Sequence, residues 1–390
     1  MQGRHLVAVA ACALAGAIAA PGVAQAQNYR YIVQLDRADG AAPARAAEID
    51  QRLAPLGGDV VAAYQRAING VVITLPVKLP GKVRLPGQIS IEPEQRMSIS
   101  ATQAAPPWGL DRIDQAALPL SSSYSYTSAG AGVDAYVIDT GIRTTHTEFE
   151  GRAVIGKDAT GGNGQDCNGH GTHVAGTIGG KTYGVAKATR LIAVRVLGCD
   201  GSGTNTNVIA GIDWAIANHQ AGQPAVANMS LGGGASSAVD TAVNNLVNDG
   251  VSVSVAAGNS STTACTSSPA RVANAITVAA SDQTDKFASF SNTGSCVDVI
   301  APGVGVVSAV SSSDTATASY NGTSMATPHA AGVAARLLSA TPALTPAQVQ
   351  QAIVDRSVKG KVTSIRTYCT YIFFGCTTTQ NRLLNLAAAS

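Results

Sequence analysis

The sequence is poor in charged and aromatic residues. Charged side chains make up 13% and aromatic ones 4% of the 390 residues, and the formal net charge is only +2. So weak a charge, with no run of basic residues to concentrate it, argues against a nucleic-acid partner. The hydrophobic fraction of 45% and the 41 glycines predict a compact globular protein with many tight turns, and argue against disorder.

The chain also lacks an apolar run long enough to span a membrane, which takes about 18 residues. Its longest apolar stretch, Leu6–Ala20, follows the basic Arg4 and precedes the small-residue site Ala24-Gln25-Ala26. This order is typical of a secretory signal peptide, and an N-terminal helix buried in the fold is the alternative. We expect residues 1–26 to be removed, so that the mature protein is secreted and has no membrane attachment.

Cysteine usage agrees with export. Cys12 lies in the predicted signal peptide, and an even number remains: Cys167, Cys199, Cys265, Cys296, Cys369 and Cys376. An even number in an exported protein favours disulfides, although six cysteines allow about 15 pairings from sequence alone. A zinc site at Cys167-Asn168-Gly169-His170 is the alternative, and it lacks a second ligand pair at zinc spacing.

Residues 27–100 have a pattern of their own. Tyr29–Leu35 alternates like a strand, and two more strands are predicted over residues 60–64 and 70–75. A helix is predicted from three apolar residues at helical spacing, Ile49, Leu53 and Leu56. The pattern indicates a small α+β domain of about seventy residues that is marginally stable alone. It is either removed from the rest of the chain or an unrelated domain that stays attached.

Three motifs in the remaining chain carry chemistry: Val137-Ile138-Asp139-Thr140-Gly141, Asn168-Gly169-His170-Gly171-Thr172-His173 and Gly322-Thr323-Ser324-Met325-Ala326-Thr327-Pro328. Asp139 ends an apolar, strand-like run, and the ends of such strands are where sites form in an open α/β sheet. His170 and Ser324 each open a helical stretch, and the positive end of a helix favours an oxyanion beside Ser324. An aspartic protease needs a second Asp-Thr/Ser-Gly, which is absent.

Two helical stretches are predicted near the C-terminus. The first covers residues 325–338 and is broken at Pro328, because proline cannot donate a helical hydrogen bond. The second covers residues 341–361.

The chain order Asp, His, Ser is the one that subtilisin-like proteases use. From about Ala101 onward the sequence resembles this superfamily, its proteinase K-like branch and, within it, the aqualysin-type secreted proteases. The resemblance implies an α/β fold with a mostly parallel central sheet and helices on both faces. It also implies a monomeric, secreted serine endopeptidase acting on protein and peptide substrates, with Asp139, His170 and Ser324 as its triad. A catalytically inactive binding protein on the same fold is the alternative.

The resemblance further implies the parts of the cleft. The side-chain amide of Asn259 would be the second oxyanion donor. The substrate would be held as an added strand, by Gly201, Ser202, Gly203, Ser230, Leu231, Gly232, Gly233, Ala256, Ala257 and Gly258. These walls are rich in glycine and uncharged, which predicts broad specificity with a preference for apolar or aromatic side chains.

The segment 27–100 resembles the intramolecular chaperone and inhibitor of such proteases. We therefore expect cleavage near Ser100–Ala101, with residues 97–100 in the active-site cleft beforehand. A freestanding inhibitor module is the alternative for this segment.

The same resemblance selects three disulfides between neighbouring cysteines, Cys167–Cys199, Cys265–Cys296 and Cys369–Cys376. It also implies structural Ca²⁺ at a cluster of oxygen ligands, Asp111, Asp114, Gln115, Ser121 and Ser123. Carboxylates at i and i+3 repel each other unless a cation bridges them, and a solvated helix start is the alternative. A second calcium site would use Asp298 with the carbonyl oxygens of Pro269 and Arg271.

Overall fold

The computed structural model describes residues 29–37, 41–78, 84–94, 101–369 and 376–386. The chain forms two units, residues 1–98 and residues 99–390. The predicted signal peptide, residues 1–26, lies outside the described residues. At the predicted cleavage site, residues 97–100 also lie outside them, whereas Ala101 is described. No helix among the described residues is both long enough and apolar enough to cross a membrane.

The first unit contains four strands and one helix: β1 (Tyr29–Leu35), α1 (Ala42–Leu53), β2 (Asp59–Tyr64), β3 (Gly70–Leu75) and β4 (Gln88–Pro93). The strands form an antiparallel sheet in the order β2-β3-β1-β4. Alternation along β1 buries Val33 and Leu35 in one cluster with Ile49 and Leu53 of α1. The helix ends before Leu56, which lies 38% exposed in a following 3-10 turn, so two of the three predicted helix positions face the core.

The second unit has a nine-stranded sheet flanked by helices. The helices are α2 (Trp108–Ile113), α3 (His170–Gly179), α4 (Asn205–Asn218), α5 (Ser237–Asn248), α6 (Thr323–Ala340) and α7 (Pro346–Arg356). The sheet strands are β7 (Asp134–Asp139), β8 (Ala153–Asp158), β9 (Arg190–Arg195), β10 (Ala225–Met229), β12 (Ser252–Ala256), β14 (Ile276–Ser281), β15 (Val299–Pro302), β18 (Val358–Lys359) and β21 (Arg382–Leu383).

Short strands pair outside this sheet. They are β5 (Ala101–Ala104) with β6 (Ser123–Tyr126), β11 (Gly233–Gly234) with β13 (Ser267–Ser268), β16 (Val306–Ala309) with β17 (Thr317–Tyr320), and β19 (Thr367–Cys369) with β20 (Cys376–Thr378).

The large sheet runs in the order β18-β21-β15-β14-β12-β10-β7-β9-β8. The strands from β8 to β21 are parallel, and β18 is antiparallel to β21. The central strands β10, β12, β14 and β15 are buried along their whole length, as expected for a sheet covered by helices on each side. The predicted fold class is therefore confirmed.

Alternation along β7 shows how one strand serves two cores. Ala135 and Val137 join the cluster formed with α3, α6 and α7. Tyr136 and Ile138 join the cluster formed with α4 and α5 on the opposite face. Because successive side chains of a strand point to opposite faces, the sheet separates two helical layers and its strand ends stay open to solvent.

Two helical predictions need correction. The helix α6 is not broken at Pro328, which lies buried inside it. The stretch predicted over residues 341–361 is helical only from Pro346 to Arg356, because Thr345 and Gln348 form a capping box at its start. The residues after α7 pair with β21 instead of continuing the helix.

Candidate active site

The candidate site lies where four neighbouring parallel strands, β9, β7, β10 and β12, reach their carboxyl ends. Asp139 is the last residue of β7, and the segments 196–203, 230–233 and 257–259 follow the other three strands. Ligands of open α/β sheets bind in the crevice beyond these ends, where the strand order reverses. The strand order changes sides at β7, since β8 and β9 lie on one side of it and β10 on the other.

Asp139 and His170 are in direct polar contact. The Nδ1 atom of His170 lies 2.7 Å from Oδ1 of Asp139, whose side chain is fully buried, whereas the imidazole is 25% exposed. Burial lowers the pKa of His170, but the charge and hydrogen bond of Asp139, together with the charge of Asp166, outweigh this and raise it above its ordinary value. The pair can therefore orient the ring and stabilise its protonated form.

Ser324 is the second residue of α6. Its hydroxyl donates to the carbonyl oxygen of Ser230 (3.1 Å), and the Ser230 hydroxyl donates to the carbonyl oxygen of Ser324 (2.8 Å). In this arrangement the Ser324 hydroxyl is directed to Ser230 rather than to His170. A hydroxyl rotates freely, and the hydrogen bonds of catalytic groups often form only when substrate is bound.

The side chain of Asn259 is oriented by the residue before Ser324. Its Oδ1 accepts hydrogen bonds from the backbone N–H (2.8 Å) and the hydroxyl (3.0 Å) of Thr323. These two donors fix the flip of the amide and leave Nδ2 as a free donor. That nitrogen lies beside Gly322, 3.6 Å from where a Cβ on this glycine would be. The amide is thus directed at the segment that bears Ser324.

Asn292 supports the loop that carries Asn259. Its Oδ1 accepts from the backbone of Ser260 and Thr262, and its Nδ2 donates to the carbonyl oxygen of Ala257. A Cβ on Gly258, whose φ is +100°, would lie 2.4 Å from Nδ2 of Asn292. Glycine is therefore required there by both the conformation and the space.

The cleft has two compartments that share residues 230–233. One of about 580 Å³ is lined by His170, by residues 201–203 and by the apolar side chains of Leu197, Val208 and Val239. The other, of about 500 Å³, is lined by residues 256–260, Ser324 and further uncharged residues. The sequence-predicted cleft residues thus lie in these two walls, and no charged side chain lines the second compartment.

Comparison with known proteins agrees with this geometry. Residues 130–371 match the subtilase family. The chain belongs to this family. It is 54% identical to an extracellular serine proteinase of Thermus sp. (strain Rt41A) over 301 residues, which cover 76% of this chain and 73% of that protein.

Two further relatives agree. An alkaline serine exoprotease A of Vibrio alginolyticus is 50% identical over 316 residues, covering 79% of this chain and 58% of that protein. The crystal structure of a cold adapted subtilisin-like serine proteinase superposes with a TM-score of 0.68 at 48% identity, covering 73% of this chain and 100% of that one. This subtilase is a serine endopeptidase, as the sequence predicts.

Two other histidines near the site, His173 and His329, are held by the fold. His173 and His329 are buried, and burial lowers the pKa of each to about 4. The His173 ring stacks on that of Tyr320 at 4.6 Å and contacts the carbonyl oxygen of Val306. Both rings are therefore neutral at neutral pH, and His170 remains the base candidate of this subtilase.

Three disulfides join the same pairs that the resemblance implies, Cys167–Cys199, Cys265–Cys296 and Cys369–Cys376. The first ties the loop before His170 to the segment that leads into Gly201. In the same place the Asn168 amide donates to the carbonyl oxygen of Cys199 (2.9 Å). The two sides of the cleft entrance are thus joined covalently.

The five residues of the first predicted calcium site lie together. Oδ1 and Oδ2 of Asp111 accept from the backbone of Ser121 and Ser122, and Oε1 of Gln115 accepts from Ser121. The hydroxyls of Ser121 and Ser123 are 2.9 Å apart. Although Oδ2 of Asp114 accepts from Ser125, its Oδ1 is buried and has no hydrogen-bond partner among the described residues. A buried carboxylate oxygen without a partner, beside oxygen donors, fits a calcium ion.

The second predicted calcium site has a different composition. Oδ2 of Asp298 accepts from the backbone of Thr277 (2.8 Å), and its Oδ1 lies 3.3 Å from Nε2 of Gln350. That amide nitrogen also donates to the carbonyl oxygens of Ala273 (3.1 Å) and Ala275 (3.2 Å). The Gln350 amide nitrogen thus lies between Oδ1 of Asp298 and two carbonyl oxygens, and the ligand set of Asp298 with the carbonyl oxygens of Pro269 and Arg271 stays a prediction. Among the described residues no group of three His, Cys, Asp or Glu side chains could hold a metal ion.

Several residues that shape the site were not predicted from the sequence: Thr140, Asp166, Asn292 and the side chain of Thr323. Asp166 carried a usable signal, since an Asp shortly before a glycine-rich helix start is a common cap of the following backbone. The others contact the site through partners distant in sequence, and a single sequence offers no sign of such contacts.

Proposed function

We propose that the chain is a secreted precursor whose mature part hydrolyses peptide bonds with Ser324 as nucleophile, His170 as general base and Asp139 as orienting carboxylate. One observation carries the proposal. The imidazole of His170 lies 2.7 Å from the carboxylate of the fully buried Asp139. It borders the same cleft as Ser324, which stands at the start of a helix. The triad accounts for the family activity in terms of named residues.

In the first half of the reaction, Nε2 of His170 takes the proton of the Ser324 hydroxyl while Oγ attacks the carbonyl carbon of the substrate. The protonated ring then gives this proton to the leaving amine, and Asp139 stabilises the imidazolium in between. The oxyanion would accept from Nδ2 of Asn259 and from the backbone N–H of Ser324 at the positive end of α6. In the second half, water enters in place of the amine and attacks the acyl carbon while the same base removes its proton; the ring then returns this proton to Oγ of Ser324 as the bond to the acyl group breaks and the acid product leaves.

The cleft supports a preference for apolar or aromatic side chains. The compartment beside Ser324 has walls from residues 230–233 and 256–258, and none of its lining residues is charged. A Lys or Arg of the substrate would enter it without a partner, which is unfavourable for a desolvated charge. A peptide library cleaved mainly after Arg or Lys would contradict this preference.

The first unit supports a precursor arrangement. It has its own small core around β1, β3 and α1, which matches a domain that is only marginally stable alone. We propose that residues 1–26 direct export and that residues 27–100 assist folding, inhibit the enzyme and are removed by self-cleavage near Ala101. The segment added in trans to the mature enzyme should then inhibit it.

Calcium at the first predicted site would stabilise the mature part. Asp111, Asp114, Gln115, Ser121 and Ser123 would hold the ion, and its positive charge would offset the repulsion between the two carboxylates. Its role is structural, since none of these residues lines the two cleft compartments. The second predicted site, Asp298 with the carbonyl oxygens of Pro269 and Arg271, would be structural in the same way.

The intact mass of the exported protein tests the main proposal. Wild type should shorten to a chain that begins near Ala101, and Ser324→Ala should keep residues 27–100. Processing of both chains would show that another protease makes the cut. If neither chain shortens and wild type does not hydrolyse peptides, the assignment of Ser324 as nucleophile of a self-processing enzyme is wrong.

A further inference from the structure

Asp166 is a buried carboxylate that the chemical steps above do not use. It lies on the loop between β8 and α3 and is 8% exposed. Its Oδ1 accepts from the Thr140 hydroxyl and from the backbone of Asn168 and Gly169, each at 2.9 Å. Its Oδ2 accepts from the backbone (2.9 Å) and the hydroxyl (2.6 Å) of Thr172. One side chain therefore binds the loop on both sides of His170.

These bonds meet the needs of the helix that begins at His170. The first N–H groups of a helix have no partner within it, and the preceding Gly169 has no side chain to cap them. The N–H of Thr172 is satisfied by Asp166, and that of Gly171 by the hydroxyl of Thr140 (2.9 Å). A negative charge at this end is also favoured by the helix dipole. The position of His170 thus depends on Asp166.

The same network reaches Asp139. The backbone N–H of Thr140 donates to Oδ1 of Asp139 (2.8 Å), which is the oxygen that contacts His170. The Thr140 hydroxyl then donates to Asp166. A closed ring of hydrogen bonds therefore runs from Asp139 through Thr140 and Asp166 to the loop of His170, and back across the Asp139–His170 contact.

We propose that Asp166 is a positioning residue of the reaction, whose carboxylate fixes the loop of His170 to the strand end of Asp139. The proposal rests on the triad proposed above. The structure gives Asp166 no contact with the cleft compartments, so it acts through the geometry and the charge state of His170.

Electrostatics gives the proposal a distinct readout. The titratable groups that act on the imidazole are Asp139, Asp166 and His173. Burial lowers the pKa of His170, while Asp139 and then Asp166 raise it. His173 is neutral because burial lowers its pKa to about 4. Loss of the Asp166 charge should therefore move the acid limb of kcat/KM to lower pH, since the limb reports the protonation of the base.

The test compares the mature forms of Asp166→Asn and wild type. If the variant does not remove its own residues 27–100, a trace of wild-type enzyme is added to remove them. An amide can serve the donors on only one side of Asp166, so the loop should shift. Small displacements of a reacting group lower rates by up to about 10²-fold. We expect kcat to fall by about 10- to 100-fold, KM to change less than about threefold, and the acid limb to move to lower pH.

Two further variants separate positioning from stability. Asp158→Asn is the matched control, because the Asp158 side chain is only 6% exposed and binds the backbone of Thr160 and Gly164 within the loop before Asp166. It should lower the melting temperature and leave kcat and the acid limb unchanged. Thr140→Val removes one hydroxyl and keeps the Asp166 charge, so it should lower kcat without moving the acid limb.

The outcomes distinguish the two proposals. If Asp166→Asn melts earlier but keeps the wild-type kcat and pH profile, Asp166 is only structural and this inference is wrong. If Asp166→Asn does not fold, an unchanged kcat in Thr140→Val overturns it. Failure of the proposed triad would appear in a different comparison, because the Ser324→Ala variant would then hydrolyse peptides at the wild-type rate.

Discussion

Asn259 allows the donor and acceptor roles of one amide to be separated by two substitutions. Its Oδ1 holds the backbone N–H and the hydroxyl of Thr323, and its Nδ2 is directed at the segment of Ser324. Asn259→Ala removes both functions. Asn259→Asp keeps an acceptor for Thr323 and replaces the donor by a negative oxygen. Both variants should be slow, but only Asn259→Ala should also be less stable.

The two expected losses have different sizes. Removal of one oxyanion donor lowers turnover by roughly 10²–10³, or about 2.7–4 kcal/mol, a magnitude known from subtilisin, which belongs to this family. Asn259→Asp should be at least as slow, because its carboxylate repels the developing oxyanion. In Asn259→Ala the fully buried Thr323 loses the acceptor of its N–H, which destabilises the fold by about 1–3 kcal/mol.

The rates are measured on a chromogenic peptide, and the free energy of unfolding by urea denaturation in a Ser324→Ala background that prevents self-digestion. KM should change little, because the donor acts mainly in the transition state. A turnover of Asn259→Asp within fivefold of wild type would refute the oxyanion role. Equal stability of Asn259→Ala and wild type would refute the structural role assigned to its oxygen.

Three other changes test the second unit. Arg112 is fully buried and donates to both oxygens of Asp285 at 2.6 and 2.9 Å, so Arg112→Met should lower the free energy of unfolding by about 3–5 kcal/mol in urea; a loss under about 1 kcal/mol would contradict this. A calcium chelator should lower the melting temperature of wild type but have less effect on Asp114→Asn, and an equal effect on both would place the ion elsewhere. Gln350→Ala should gain calcium-dependent thermal stability, because it opens Asp298 and two carbonyl oxygens to a cation. A loss instead would mean that Gln350 turns its amide oxygen to the ion. The control is Gln351→Ala, on the same helix, whose side-chain amide donates to Asp355.

The elements that end at the candidate site could be predicted because their patterns are local. The apolar run over residues 133–138 predicts a strand, and β7 covers Asp134–Asp139. The run over residues 251–255 corresponds to β12, Ser252–Ala256. In a parallel sheet such strands share one edge, so residues directly after them come together whatever their separation in sequence.

The supporting residues could not be predicted, because their partners are set by the tertiary fold. Asp166 and Thr140 are 26 positions apart, and Asn292 lies 35 positions from Ala257. In the same way, the Gln350 amide donates to the carbonyl oxygens of Ala273 and Ala275, which lie 77 and 75 positions away in the sequence.

Pro328 shows how a local rule can fail for a reason that concerns the site. Proline inside a helix removes the hydrogen bond to the carbonyl oxygen four residues earlier, and in an exposed helix this costs about 3 kcal/mol. In α6 that carbonyl belongs to Ser324, and it accepts from the Ser230 hydroxyl at 2.8 Å. The helix therefore continues through Pro328 without an unsatisfied acceptor. Because the Ser324 hydroxyl donates back to Ser230, two hydrogen bonds join the candidate nucleophile to the wall of its own cleft, and one of them satisfies the acceptor that Pro328 leaves open.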